Sequence, residues 1–244
     1  MPYDTRPRPA RFRFASSLPA GVKWLLISNI ALFILYFLAN TTSAGQIFLL
    51  FALVPRAVVQ HFAIWQLFTY MFLHDPNGFS HILFNMLTLW MFGTDLERQW
   101  GTKRFLTYYF VCGVGAGICV VLMNVLFGEM NGRVIGASGA IYGLLMAFGL
   151  LYPDRTLMFS FLFPIKAKYF VMILGAIAFL STFSVNGFLS NIAHLGGMLF
   201  GYAYLKMQFQ TPNLAFIGQS YKDWKLQRAK KKFQVYMRKH DGQR

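Results

Sequence analysis

Apolar residues in this chain run on in blocks, with neither the alternation of a half-buried strand nor the one-sided spacing of a surface helix. Six blocks stand out, at 22–40, 81–95, 104–127, 136–152, 167–184 and 190–206. Some fall short of the ~20 residues that a full bilayer crossing takes. A further apolar segment, 46–73, is interrupted by Pro55, Arg56, Gln60 and His61. It reads as an elaborated loop whose amphipathic helical pieces lie at the membrane interface, with a seventh span as the alternative. Trp65 and Tyr70 suit that depth. The pattern predicts an all-α polytopic membrane protein, a six-transmembrane-helix bundle over 22–206 with a large interfacial first loop. A basic arm at 1–21 precedes it and a basic tail at 207–244 follows. Composition agrees: 56% of the 244 residues are hydrophobic, 18% aromatic and 13% charged, where a soluble domain carries about 25% charged residues.

Charge then orients the bundle. Of the 23 Lys and Arg, all but Arg56 and Arg133 fall on one side of a six-span topology. That side holds the N-terminal arm with Lys23, the 95–104 and 153–168 loops, and the tail from Lys206. By the positive-inside rule both termini are cytoplasmic and the chain sits in the inner (plasma) membrane. The arm, with Arg6, Arg8, Arg11 and Arg13 among prolines, reads as a solvated cytoplasmic segment, although its Arg-rich, acid-poor look also resembles a presequence. The tail's Lys230-Lys231-Lys232 and Arg238-Lys239, interleaved with aromatics, serve topology and anionic headgroups. Beside a bilayer that use replaces nucleic acid as the expected partner.

Polar side chains inside apolar spans are costly and mark function by default. Four stand out: His81 and Asn85 on the second span, Ser138 on the fourth, His194 on the sixth. Counting from the first charged residue at each inner end, they lie roughly 21, 15, 24 and 18 Å up their helices. All four therefore fall in the outer half of a core of about 30 Å. Taken singly, each has an ordinary explanation: an interfacial helix start with Ser80 as N-cap, interhelical glue, a small packing residue, a satisfied buried histidine. Together, four unrelated polar residues at one depth on three co-directional helices make a much weaker explanation. Gly139 and Gly143, with Gly136 and Ala140, form small-xxx-small pairs on the fourth span; Ala193, Gly197 and Gly201 form such a stripe on the sixth. Two such stripes let helix axes approach closely, near enough for His194 to reach Ser138 and serve as the base its hydroxyl needs. Tyr142, one turn beyond Ser138, is placed to fix the imidazole plane. His81 and Asn85, at i and i+4, can aim donors at an oxyanion together with the Ser138 amide. No carboxylate lies within the spans, so the expectation is a Ser–His dyad. Cys112 and Cys119 share one helical run and read as packing residues; no metal-ligand spacing is present.

These residues resemble the rhomboid intramembrane serine proteases. Gly136-Ala137-Ser138-Gly139 looks like the family's Gly-x-Ser-Gly, and His81-Ile82-Leu83-Phe84-Asn85 like its His-x-x-x-Asn. The stretch from Ala193-His194 through Gly197 to Gly201 is similar to its Ala-His-x-x-Gly-x-x-x-Gly, and Glu97-Arg98 to a pair that ties inner helix ends. The resemblance covers about 22–206. It implies cofactor-free hydrolysis of peptide bonds in or beside transmembrane segments of membrane proteins. Ser138 and His194 would be catalytic, His81, Asn85 and the Ser138 amide the oxyanion hole, and Tyr142, Gly136, Gly139, Gly197 and Gly201 supporting residues. Two departures concern the first loop: Trp65-Gln66 replaces the family's Trp-Arg, and the His74-to-His81 spacing is longer than usual. His74 is expected to support the site, for instance by hydrating it. The alternative reading is an inactive relative that binds membrane clients. A transporter lacks support because neither an internal repeat nor a charged pathway is visible, and an α/β-hydrolase because Gly136–Ala140 is not Gly-x-Ser-x-Gly between alternating strands.

Overall fold

A computed structural model of the chain describes residues 18–127, 130–159, 163–183 and 188–210. The expectations for most of the arm and of the tail, with Lys230-Lys231-Lys232, lie outside the described residues. Two compact units divide the chain, Met1–Tyr202 and Ala203–Arg244. Within the second, the described part is the end of the last helix, where Gln208 donates a 2.9 Å hydrogen bond to the Tyr204 hydroxyl.

The fold is mostly helical. Helix α1 (Ala20–Ala39) is followed by the short α2 (Gly45–Phe48), α3 (Pro55–His61) and α4 (Gln66–Thr69). Helix α5 (Phe79–Thr88) runs through a π-helical turn at Leu89–Gly93 into α6 (Thr94–Trp100). Helices α7 (Thr102–Phe127), α8 (Ser138–Leu151), α9 (Ala167–Ser181) and α10 (Phe188–Gln210) complete the set. By length and composition α1 and α7 can cross a membrane; α8 and α9 are apolar but shorter. The apolar residues face both ways. Tyr70, Phe105, Tyr108, Tyr109 and Phe148 are fully buried, while Trp24, Leu38, Met172 and Leu180 are each more than 60% exposed on the outer surfaces of α1 and α9. An exterior as apolar as the interior belongs in lipid.

One end of the bundle is tied by polar contacts. Pro19 cannot cap α1 with a side chain, so its first N–H groups need an acceptor. The buried Glu97 carboxylate supplies it, accepting from Gly21 N at 2.8 Å and Val22 N at 2.7 Å, and from the Thr102 hydroxyl at 2.6 Å. Arg155 pairs with Asp95 at 2.7 Å, and the Tyr152 hydroxyl donates to Gln99 at 2.6 Å.

An all-α description is not complete. The segment read as a loop at 153–168 carries an antiparallel hairpin, β1 (Thr156–Phe159) and β2 (Phe163–Lys166). Its continuous apolar run has no period that separates strand from buried helix. Here the hairpin pairs backbone groups that neither flanking helix reaches. Lys168 and Lys166 anchor its base on Asp154, at 2.9 and 3.2 Å, and hold that carboxyl below the usual range.

Segment 46–73 contains only helices of four to seven residues and 3₁₀ turns. Gln66, 4% exposed, organises it: its carbonyl accepts from Val54 N at 3.0 Å and its amide donates to the Leu50 carbonyl at 3.1 Å. The Trp65 indole donates to that same carbonyl at 3.1 Å. A neutral carboxamide thus makes two backbone bonds from one buried position, and leaves no buried charge to pair. The segment is also stitched to the approach of α8. Leu53 and Val134 exchange both backbone bonds, Arg56 N donates to Met130 O, and Gly136 N donates to Tyr70 O, all within 3.0 Å.

Candidate active site

The site is assembled where α8 begins. Gly136 has φ +118°, a region that favours glycine, and there the chain turns from the Leu53–Val134 pairing into the helix. Ser138 is the first residue of α8, so its hydroxyl and the unpaired first-turn N–H groups emerge at one place. Space explains the glycine as well. A Cβ at Gly136 would stand 2.9 Å from the His81 Nε2 and 3.7 Å from the Asn85 Nδ2. The head of α8 is therefore pressed against His81 and Asn85 of α5.

Helix α10 meets α8 along glycines. A Cβ on Gly197 would collide with the Gly139 carbonyl oxygen, and one on Gly201 would lie 3.3 Å from Gly143 Cα. Larger side chains would hold the axes apart; here the backbones touch. One turn outward from Gly197, His194 Nε2 lies 2.9 Å from Ser138 Oγ. The Tyr142 ring stacks on the imidazole with centroids 4.1 Å apart and planes within 4°. The His194 Nδ1 is buried and makes no hydrogen bond among the described residues. Among the described residues no carboxylate bonds this ring; its plane is set by the stack.

Further glycine contacts, one on α8 and one on α10, explain the cysteines. Cys112 packs against Gly143 and Cys119 against Gly196, both as free thiols. Among the described residues no cluster of His, Cys, Asp and Glu is arranged to hold a metal.

A cavity of about 290 Å³ opens onto the pair, lined by Ser80, His81, Phe84, Asn85, Ser138, Tyr142, Ser190 and His194 among others. It brings together every polar residue the sequence singled out on three helices. Ser80 is not an N-cap: α5 begins one residue earlier, with Gly78 ahead of it and no side-chain cap, which leaves Ser80 exposed at the rim. His74 does not line this cavity. It is fully buried behind it, with Asn85 Nδ2 3.0 Å from its Nε2 and its ring 5.2 Å from that of His81. Burial, with the nearby His81, pushes His74 down to about 3. Ser190 was not legible as a lining residue, because a serine near the start of an apolar helix carries no distinguishing signal. The His74–Asn85 contact was hidden by the intervening Asp75-Pro76-Asn77-Gly78 turn.

Comparison with known proteins places these motifs in context. A family model described as "Rhomboid domain" matches residues 61–211, more than half of the chain. The chain is 29% identical over 189 residues to "Rhomboid protease GluP" of Bacillus subtilis, covering 78% of this chain and 35% of that protein. It is 31% identical over 171 residues to "RHOMBOID-like protein 1" of Arabidopsis thaliana, covering 69% and 40%. With "Rhomboid protein 1, mitochondrial" of Saccharomyces cerevisiae it shares 31% over 133 residues, covering 52% and 37%. In each case the match spans only 35 to 40% of the relative's own length.

Proposed function

This chain belongs to the rhomboid family, and on that premise we propose that it is an intramembrane serine endopeptidase acting by a Ser138–His194 dyad. The observation that carries the proposal is the 2.9 Å approach of Nε2 to Oγ at the wall of a polar cavity. Its substrates are transmembrane proteins, cut within or next to their spans.

In the proposed reaction Ser138 Oγ attacks the scissile carbonyl carbon as His194 Nε2 takes its proton. The carbonyl π pair moves onto oxygen. That oxyanion is held by His81, Asn85 and the Ser138 backbone N–H, with the positive N-terminal end of α8 behind them. The tetrahedral intermediate then collapses, the C–N bond breaks, and His194 returns the proton to the leaving amine. Water enters, loses a proton to His194 and releases the acyl group, and Ser138 recovers its proton. With no carboxylate partner at Nδ1 among the described residues, the transient imidazolium is stabilised by the face of the Tyr142 ring. A helical substrate hides its carbonyl carbons and must unwind locally, so segments with Gly, Ala or Ser near the outer end are preferred, with Gly the one of the three that weakens the helix most.

The membrane arrangement in this proposal is six spans, α5–α6 counting as one, with both termini cytoplasmic and the cavity opening outward. The lopsided distribution of Lys and Arg supports it, and the host membrane is the cell's inner (plasma) membrane. Purified chain in detergent should cleave a model transmembrane substrate and take up a fluorophosphonate probe on Ser138. Both activities should be lost in Ser138→Ala, and cleavage should fall by at least about 10³-fold in His194→Ala. Cleavage that survives both substitutions would falsify the proposal, and a wild-type chain inert to substrate and probe would mark a client-binding relative instead.

A further inference from the structure

Asn85 can stabilise an oxyanion only with its NH₂ facing the cavity, yet a carboxamide is nearly symmetric in shape. Rotated by half a turn it would present its carbonyl oxygen, which repels the developing negative charge. Something must hold the rotor. Asn85 is 6% exposed and its Nδ2 is 3.0 Å from His74 Nε2. An N–H directed at that nitrogen requires His74 to be a neutral imidazole with its own proton on Nδ1. His74 is completely buried, and its burial opposes protonation. A neutral ring with its proton on Nδ1 accepts at Nε2.

We propose that His74 is a positioning residue, an acceptor behind the oxyanion hole that fixes the Asn85 carboxamide with one Nδ2–H bound and the other free for the cavity. The inference rests on the protease reading above. The ring of His74 also lies against His81, at 5.2 Å between centroids and 59° between planes, so one buried side chain backs both donors. The turn from Asp75 to Gly78 bulges away between them, with Asn77 N bonded to the Asp75 carboxylate at 2.9 Å and Gly78 N to the Asp75 carbonyl at 3.0 Å. The longer spacing between the two histidines is absorbed there, and His74 keeps its seat beneath the donors.

A buried histidine that merely filled space would have the same packing but a different coupling. The test is a double-mutant cycle on the full chain, with His74→Phe, Asn85→Ala and the double variant. Cleavage of a fluorogenic transmembrane peptide and the rate of fluorophosphonate labelling are read in parallel, and thermal unfolding controls for folding. His74→Phe should lower kcat by about ten- to a hundred-fold with KM little changed, the scale of a misplaced reacting group. In the Asn85→Ala background the same change should cost less than about two-fold, as the two residues act as one unit. His74→Gln, whose carbonyl still accepts, should recover most of the rate. If Phe at 74 does not fold, His74→Leu takes its place in the cycle. Equal losses in both backgrounds, or Gln no better than Phe, would overturn the role of His74 alone. A wild-type chain that neither cleaves nor labels would instead remove the protease reading beneath it.

Discussion

At the scale of single residues, the arrangement asks most of Tyr142. In a triad a carboxylate fixes the tautomer and plane of the histidine; here a parallel ring 4.1 Å away takes over the plane. The contribution is one of shape and π-face, not of the hydroxyl. Tyr142→Phe should therefore stay within about three-fold of wild-type kcat/KM, whereas Tyr142→Ala should lose about ten-fold or more, because a free imidazole is seldom in line with Oγ. Steady-state cleavage of a transmembrane peptide checks both. A Phe variant as poor as the Ala variant would move the contribution to the phenolic oxygen. The polar residues were legible because bilayers make them rare: His81, Asn85, Ser138 and His194 stand out against Leu and Phe as they would not in a soluble core. What the sequence hid was the layer behind them. His74 and Gln66 sit in a segment whose short helices follow no long period, and their partners, Asn85 Nδ2 and the Leu50 and Val54 backbone, are set by tertiary packing alone.

At the scale of elements, the contact between α8 and α10 and the tie at Glu97 place different demands on the chain. Gly197→Ala puts a methyl group into the Gly139 carbonyl. The helices must separate, at a cost of about 1–3 kcal/mol for overpacking, and the Ser138–His194 distance grows with them. Fluorophosphonate labelling of that variant should fall much further than its unfolding midpoint does. Equal labelling would mean that the bundle repacks without loss of the pair. Glu97→Ala acts on stability instead: it orphans two N–H groups at the head of α1 and the Thr102 hydroxyl. Charge-assisted bonds contribute about 1.5–3 kcal/mol each and are not additive, so a loss of about 2–4 kcal/mol in detergent unfolding is expected, with labelling of the folded fraction unchanged. The positions of the long helices follow from hydrophobic runs, which is why α1 and α7 begin and end within a few residues of the blocks at 22–40 and 104–127. The β1–β2 hairpin was not legible, since a short apolar stretch between two helices lacks the length that separates the alternatives.

At the scale of the whole molecule, the apolar exterior and the distribution of Lys and Arg together predict which surfaces meet water on which side. In a variant lacking Cys112 and Cys119, a cysteine at Asn77 should react with an impermeant maleimide added to intact cells. One at Arg155 should react only after the inner face is opened. The reverse pattern would invert the topology and place the cavity toward the cytoplasm. Both sites are exposed in the fold, so protection of either one reports the membrane and not burial.

Tyr70 joins three parts of this fold. Its carbonyl receives Gly136 N, its hydroxyl donates to Gly113 O at 2.7 Å, and that same oxygen would be 3.3 Å from a Cβ on Gly139. The turn that presents Ser138 is thus completed only when the first loop has docked on α7. In the proposed hydrolase, a chain whose first loop had not yet docked would lack the turn that presents Ser138, so its activity would wait on that docking.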